Sequence, residues 1–167
     1  LLTAHRRENW GEPMKNIFAS VREVAEQNKD VQIIFPMHKN PLIRDLARES
    51  FKGIEDKVAL IEPLEYVDFA NLMNKCYLIM TDSGGIQEEA PALGKPVVVL
   101  RTETERPEAV KAGTVKLAGV ERNKIFEITN ELVIDDLEYH KMAHAINPYG
   151  DGKACERIVE LIVKHFE

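Results

Sequence analysis

The residues best placed to do chemistry lie in Thr81-Asp-Ser-Gly-Gly-Ile-Gln-Glu-Glu-Ala-Pro91, directly after the apolar run Tyr77-Leu-Ile-Met80. A serine and two glycines between a strand and a helix expose backbone N–H groups that have no partner inside the helix. The helix dipole adds partial positive charge at the same place. Glycines there cost backbone entropy, but they let a phosphate come close to those amides. Ser83 adds a hydroxyl donor, while Ser83, Gly84 and Gly85 also read as an ordinary capped turn, so this stretch alone leaves both readings open. Glu89 follows less than two turns later, too deep to favour a pyrophosphate and suitably placed to accept hydrogen bonds from two ribose hydroxyls. A solvated helical face is the alternative for Gln87-Glu-Glu89. No Gly-x-Gly-x-x-Gly follows any strand, which argues against an ordinary nicotinamide site.

Other polar clusters follow other apolar runs. His5-Arg6-Arg7-Glu8-Asn9 packs five hydrogen-bonding side chains directly after Leu1-Leu-Thr3. A histidine serves as acid, base or phosphate ligand near neutral pH, and two arginines supply charge for an anion. Pro36-Met-His-Lys-Asn-Pro41 is a sparser version, in which His38 is evenly balanced between ligand and bland loop. Arg101 and Arg106 bracket Thr102-Glu-Thr-Glu105; either can grip a phosphate with two parallel donors or form a surface ion pair with Glu103 or Glu105. Tyr66 and Phe69 follow Glu62-Pro-Leu-Glu65 and can wall a nucleobase or face the core. Asn147-Pro-Tyr-Gly-Asp-Gly152 is a turn-rich junction at another helix start. His140, His144 and His165 fall on helices away from these loops and read as structural or surface residues.

The elements between the clusters alternate. Short β-branched runs at 31–35, 58–61, 77–81, 96–100 and 114–117, with the strand end at 1–3, predict five or six strands. Helical spacing predicts helices over 14–28, 41–51, 67–74, 85–93, 105–112, 122–134, 136–145 and 153–166. Strands apolar on both faces, separated by helices, imply an α/β fold with a doubly wound parallel sheet covered on both sides. Ligands in such folds sit at the carboxyl ends of the strands, where the polar clusters fall. The residues therefore outline a pocket for a phosphorylated nucleoside and leave the reaction undefined.

The bulk properties narrow the class. The chain has 167 residues and a formal net charge of -6, which argues against a general nucleic-acid binder. The two cysteines, Cys76 and Cys155, have no zinc or disulfide spacing. A buried thiol is expected for Cys76, and a reducing, cytoplasmic setting for the chain. No apolar run approaches the ~18 residues that span a membrane, and no signal-peptide pattern opens the chain. Leu1-Leu2-Thr3 reads as the end of a strand, which suggests a piece of a longer protein. No ligand cluster calls for a metal, and no cofactor is expected.

Taken together, Thr3-Ala-His-Arg-Arg-Glu-Asn9, Pro36-Met-His-Lys-Asn-Pro41, Thr81 to Pro91, Thr104-Glu-Arg-Pro-Glu108 and Asn147-Pro-Tyr-Gly-Asp-Gly152 closely resemble the non-hydrolysing UDP-N-acetylglucosamine 2-epimerases. The matches are spread over essentially the whole chain in the right order. The resemblance implies a Rossmann-like C-terminal half of a glycosyltransferase-B-type fold, with residues 1–167 as the UDP-binding domain. It implies that Ser83, Gly84 and Gly85 hold the diphosphate, Glu89 the ribose hydroxyls and Arg106 a phosphate, with Leu64 and Phe69 flanking the uracil. His5 matches the family's active-site histidine. Arg6, Arg7 and His38 match candidates for a second, regulatory UDP-GlcNAc. The implied reaction interconverts UDP-GlcNAc and UDP-ManNAc through loss and re-addition of UDP, feeding cell-envelope polysaccharide. The carboxylates that move protons belong to the N-terminal half, so this chain by itself is expected to bind UDP weakly and not to catalyse. A homodimer is the implied assembly. Two other readings fit the same sheet edge: the nucleotide half of a UDP-sugar glycosyltransferase, and a non-catalytic nucleotide-sensing module.

Overall fold

The β-branched runs form short strands that hydrogen-bond in parallel, and each intervening amphipathic segment returns the chain across one face of the sheet as a helix. The computed structural model describes residues 1–166. The strands are β1 (Leu2–Thr3), β2 (Ile33–Pro36), β3 (Val58–Ile61), β4 (Ile79–Thr81), β5 (Val97–Val99) and β6 (Val115–Leu117). The helices are α1 (Glu12–Gln27), α2 (Pro41–Ser50), α3 (Tyr66–Lys75), α4 (Gly84–Ala92), α5 (Pro107–Ala112), α6 (Arg122–Ile134), α7 (Asp136–Ala143) and α8 (Ala154–Phe166).

Four strands form the ladder β1-β4-β5-β6, and β2 pairs with β3. β1 packs beside β2, so the spatial order runs β3-β2-β1-β4-β5-β6, the doubly wound order whose direction reverses at β1 and β4. The register sets Leu2 opposite Met80 and Thr3 opposite Thr81, then Thr81 opposite Val99. The predicted continuous sheet is thus present as two ladders laid side by side. β1 is two residues long and is hydrogen-bonded to β4, with β2 packed along its other edge.

Because side chains alternate across a strand, the sheet separates two cores. Met80, Val98, Leu100 and Ala118 face a larger cluster with α1, α2 and α6, in which Phe18 packs on Phe35 and Phe51 at ring-centroid distances of 5.5 and 5.3 Å. Ile79, Val97, Val99 and Val115 face a smaller cluster with Met73 of α3, Ala90 of α4 and Ala109 of α5. β3, at the edge, is only partly buried, so it departs from the expectation of strands covered on both sides.

Local signals set the helix ends. The Asn40 side chain accepts from Leu42 N at 3.0 Å, with Pro41 in the first turn of α2, and Asp135 accepts from Leu137 N and Glu138 N ahead of α7. Gly113 takes φ 79° where α5 stops, a left-handed conformation that favours glycine. α6 covers the predicted residues. α5 starts at Pro107, later than expected, because Arg106 N is drawn to Thr104 Oγ1 at 3.0 Å. α7 stops at Ala143, where the His144 ring turns back to within 2.8 Å of His140 O. Every residue of α8 is exposed.

Candidate functional site

The C-terminal ends of β1 to β4 surround a cavity of about 390 Å³, lined by residues that include His5, His38, Leu64, Phe69, Ser83 and Ile86. Five of these six were singled out in the sequence, and the fold gathers them from four different loops. A larger apolar cavity of about 750 Å³ opens at the opposite, amino ends of the strands, between Val31–Ile34 and Tyr77–Met80. The carboxyl edge is where the first turns of helices following parallel strands present their amides, so it is the place for an anion.

Ser83 is the N-cap residue of α4, and its side chain makes no capping bond. Its hydroxyl is therefore available to a ligand. Its own N–H donates to Thr81 Oγ1 at 3.0 Å, and Thr81 in turn shares a 2.6 Å hydroxyl contact with Thr3 across the β1–β4 ladder. These bonds hold the Ser83 turn to the sheet. Gly84 is buried and Gly85 exposed. A methyl group at Gly84 would meet Glu105 Oε1, whereas one at Gly85 would find only Glu89 Oε1 at 3.9 Å. A carboxylate thus lies directly over the bare backbone of Gly84 at the helix end.

That carboxylate, which the sequence offers only as an ion-pair partner, is one of two neighbours with no place in the site on the sequence alone. Glu105 bridges Arg101 and Arg6, the latter at 3.3 Å, and Arg101 Nε also lies 2.9 Å from Glu8. A hydrogen bond from its own backbone first, then the charges of Arg101 and Arg6, hold the Glu105 carboxyl below the usual carboxylate range against the opposing effect of burial. The second is Asp82, fully buried beneath His5. An aspartate directly after an apolar strand was the available signal for it.

The other expected residues are placed as follows. Glu89 sits on the second turn of α4, half-buried, and accepts a 3.4 Å bond from the Tyr66 hydroxyl. Arg106 pairs with Glu88, and this bond first, then the charges of Glu88 and Glu105, raises its pKa. The sequence offers Glu103 or Glu105 as ion-pair partners for the two arginines of this loop. Arg101 does take Glu105, and Arg106 takes Glu88 instead. A half-buried polar chain ties the Arg106 loop to the Ser83 turn: Thr104 Oγ1 donates to Gln87 Oε1 at 2.6 Å, and Gln87 Nε2 donates to Ser83 O at 3.2 Å. Leu64 is exposed at the cavity rim and Phe69 half-buried against the smaller core. His38 stacks on His5 with ring centroids 5.6 Å apart and planes 11° from parallel. Arg7 is exposed and lies 5.9 Å over the Trp10 ring, away from the cavity. Arg6, Arg7 and His38 therefore do not form one cluster within this chain.

Cys76, expected to be buried, is half-buried; its thiol contacts Met73 O at 3.0 Å, and desolvation raises its pKa. Among the described residues, no helix is long and apolar enough to cross a membrane.

Residues 1–163 match the family described as UDP-N-acetylglucosamine 2-epimerase. The Bacillus subtilis UDP-N-acetylglucosamine 2-epimerase is 55% identical over 166 residues, covering 99% of this chain and 43% of that protein. Among solved structures, the S. aureus MnaA–UDP co-structure superposes with a TM-score of 0.92 at 52% identity, covering 99% of this chain and 45% of the other. The Neisseria meningitidis UDP-GlcNAc 2-epimerase bound to UDP-GlcNAc gives 0.90 at 50% identity, over 98% and 44%. The chain thus spans under half the length of the relatives it matches.

Proposed function

This chain belongs to the UDP-N-acetylglucosamine 2-epimerase family, and from that premise we propose that it is the C-terminal, UDP-binding half of an enzyme interconverting UDP-GlcNAc and UDP-ManNAc. The observation that carries the proposal is the cavity at the carboxyl edge, where the start of α4, His5, Leu64 and Phe69 converge.

In this reading the amides at the start of α4 and the free Ser83 hydroxyl take the diphosphate. Glu89, engaged among the described residues by a long bond from Tyr66, accepts the ribose hydroxyls. Leu64 and Phe69 flank the uracil. Arg106 exchanges Glu88 for a phosphate oxygen. Inverting carbon 2 needs removal of a poorly acidic proton together with departure of UDP, so charge must be stabilised on the leaving diphosphate as the C–O bond breaks. The helix dipole, the arginines and His5 are suited to that task. Re-addition of UDP to the resulting glycal, with proton return from the opposite face, completes the inversion. The carboxylates that handle the C2 proton would come from the N-terminal half of the same protein, and His38 with Arg6 or Arg7 would contribute to a regulatory UDP-GlcNAc site closed by that half. The exposed apolar side of α8, with Ile158, Leu161 and Ile162, would provide part of the contact between the halves. A cytoplasmic homodimer supplying cell-envelope polysaccharide synthesis completes the proposal.

Calorimetric titration of the chain with UDP tests it. Binding that Glu89→Ala abolishes supports the half-site, while absence of binding to both this chain and the full-length protein would refute it. Conversion of UDP-GlcNAc to UDP-ManNAc by the full-length protein tests the reaction.

A further inference from the structure

We propose that Asp82 is the positioning residue of His5: it fixes the imidazole as the Nδ1–H tautomer and leaves Nε2 for the ligand. The inference rests on the nucleotide-site reading only for its kinetic consequence, since the tautomer is a property of the chain alone.

Asp82 is fully buried at the end of β4. Its two oxygens have unequal surroundings. Oδ2 accepts from His5 N at 2.9 Å, Arg6 N at 2.8 Å and Asn9 Nδ2 at 3.2 Å. Oδ1 is equally buried, accepts no well-formed hydrogen bond, and faces His5 Nδ1 at 3.4 Å. A buried carboxylate oxygen without a donor carries a desolvation penalty, and the Nδ1–H of His5 is the donor within reach. Functional hydrogen bonds are commonly long in the free protein and shorten when ligand binds.

The ring is also held on its face. His38 stacks on it in near-parallel geometry, and His38 is itself anchored because its Nδ1 accepts from Asn40 N at 3.1 Å. Backbone bonds from His5 and Arg6, the Asp82 oxygen and the His38 ring therefore restrict the imidazole. With Nδ1 committed to Asp82, Nε2 is the nitrogen available to accept a proton or meet a diphosphate oxygen. A carboxylate that selects a histidine tautomer and steadies the imidazolium is an established use of such a pair.

The test is nitrogen-15 NMR of the His5 imidazole in this chain at about pH 9, where an ordinary imidazole is neutral. The expected wild-type state is Nδ1–H. Asp82→Asn keeps an acceptor for the three N–H donors and turns an amide N–H2 toward Nδ1, so the expected variant state is Nε2–H. A wild-type Nε2–H tautomer, or one unchanged by the substitution, overturns the proposal; if the variant does not fold, the wild-type spectrum alone decides. In the full-length enzyme, Asp82→Asn is expected to lower kcat for UDP-GlcNAc epimerisation by roughly 10²–10⁴-fold with KM within about threefold. In a His5→Gln background the same change should cost less than about threefold. A full, additive loss there makes Asp82 a structural tie and overturns the proposal. A wild-type enzyme that does not turn over UDP-GlcNAc refutes the functional reading and leaves the tautomer measurement standing.

Discussion

The Tyr66 hydroxyl reaches across from the start of α3 to Glu89 Oε2 on α4, 3.4 Å away. This is a long bond, and it leaves most of the acceptor capacity of the Glu89 carboxylate free. A pair of vicinal hydroxyls can use that capacity. Glu89→Ala is therefore expected to weaken UDP binding by about 1–3 kcal/mol, the usual cost of losing charge-assisted hydrogen bonds. Calorimetry on the folded variant checks this, and unchanged affinity removes Glu89 from the site.

The two glycines at the start of α4 should respond differently to a methyl group. At Gly84 the new Cβ meets Glu105 Oε1, the far end of a flexible side chain, so the fold is expected to survive by moving Glu105. The methyl would also stand where a phosphate must approach. Gly84→Ala is expected to weaken UDP binding about tenfold or more, equivalent to about 1.4 kcal/mol. Gly85→Ala meets nothing closer than 3.9 Å and is expected to change affinity less than about threefold. Equal effects at the two positions would contradict a phosphate seat over Gly84.

Glu105 competes for the same ground as an incoming anion. It lies against Gly84 and engages Arg6 and Arg101. Removing its charge in Glu105→Gln is expected to tighten UDP binding by about two- to fivefold at low salt and to make binding more sensitive to added salt, because the freed arginine charge is screened. Weaker binding in the variant would mean that Glu105 serves the ligand by holding Arg6 in place.

The same carboxyl makes stability depend on pH in a defined direction. Held below its usual value in the folded chain, chiefly by its own backbone and by Arg101 and Arg6, it stays ionised to lower pH than in the unfolded chain. The unfolded chain then binds more protons, so this contribution is present above the ordinary glutamate value of about 4.3 and is lost as pH falls through the lower folded value. Urea midpoints measured from pH 5 down to about 3 should fall less steeply in Glu105→Gln than in the wild type. Identical slopes would show that the bridge contributes nothing measurable.

Phe18 tests the scaffold apart from the site. It is fully buried between Phe35 and Phe51, on the far side of the sheet from Phe69. Phe18→Ala is expected to cost about 3–5 kcal/mol of stability. At temperatures where the variant remains folded, UDP affinity should stay within about twofold. A large affinity loss in the folded variant would show that the larger core also shapes the cavity.

Much of this architecture is written locally in the chain. Val97-Val-Val99 and Ile79-Met80 are β-branched or apolar on both faces, and the residues of α6 repeat at helical spacing, so the strands and helices follow from periodicity. Ser83, Gly84 and Gly85 are legible for the same reason: the end of a strand and the start of a helix are local events. Asp82 and Glu105 are not. The role of Asp82 depends on β1 lying beside β4, which brings His5 across 77 residues of sequence, and that of Glu105 on a loop folding back over Gly84. Arg106 illustrates the intermediate case. The sequence leaves it between a phosphate grip and an ion pair with Glu103 or Glu105, and the partner it takes, Glu88, is fixed by how α4 and the following loop pack.

The bonds to Asp82 have a mechanical consequence. Through its Oδ2 the aspartate ties His5, Arg6 and Asn9 to the end of β4, and Asn9 also donates to Leu100 O just beyond β5. The first loop is therefore fastened at four points to the centre of the sheet. Across the cavity, residues 62–65 are exposed. One wall of the cleft is thus tied to the sheet while the wall carrying Leu64 is exposed, so in the proposed site a base would meet that outer wall and not the bonds that hold the histidine.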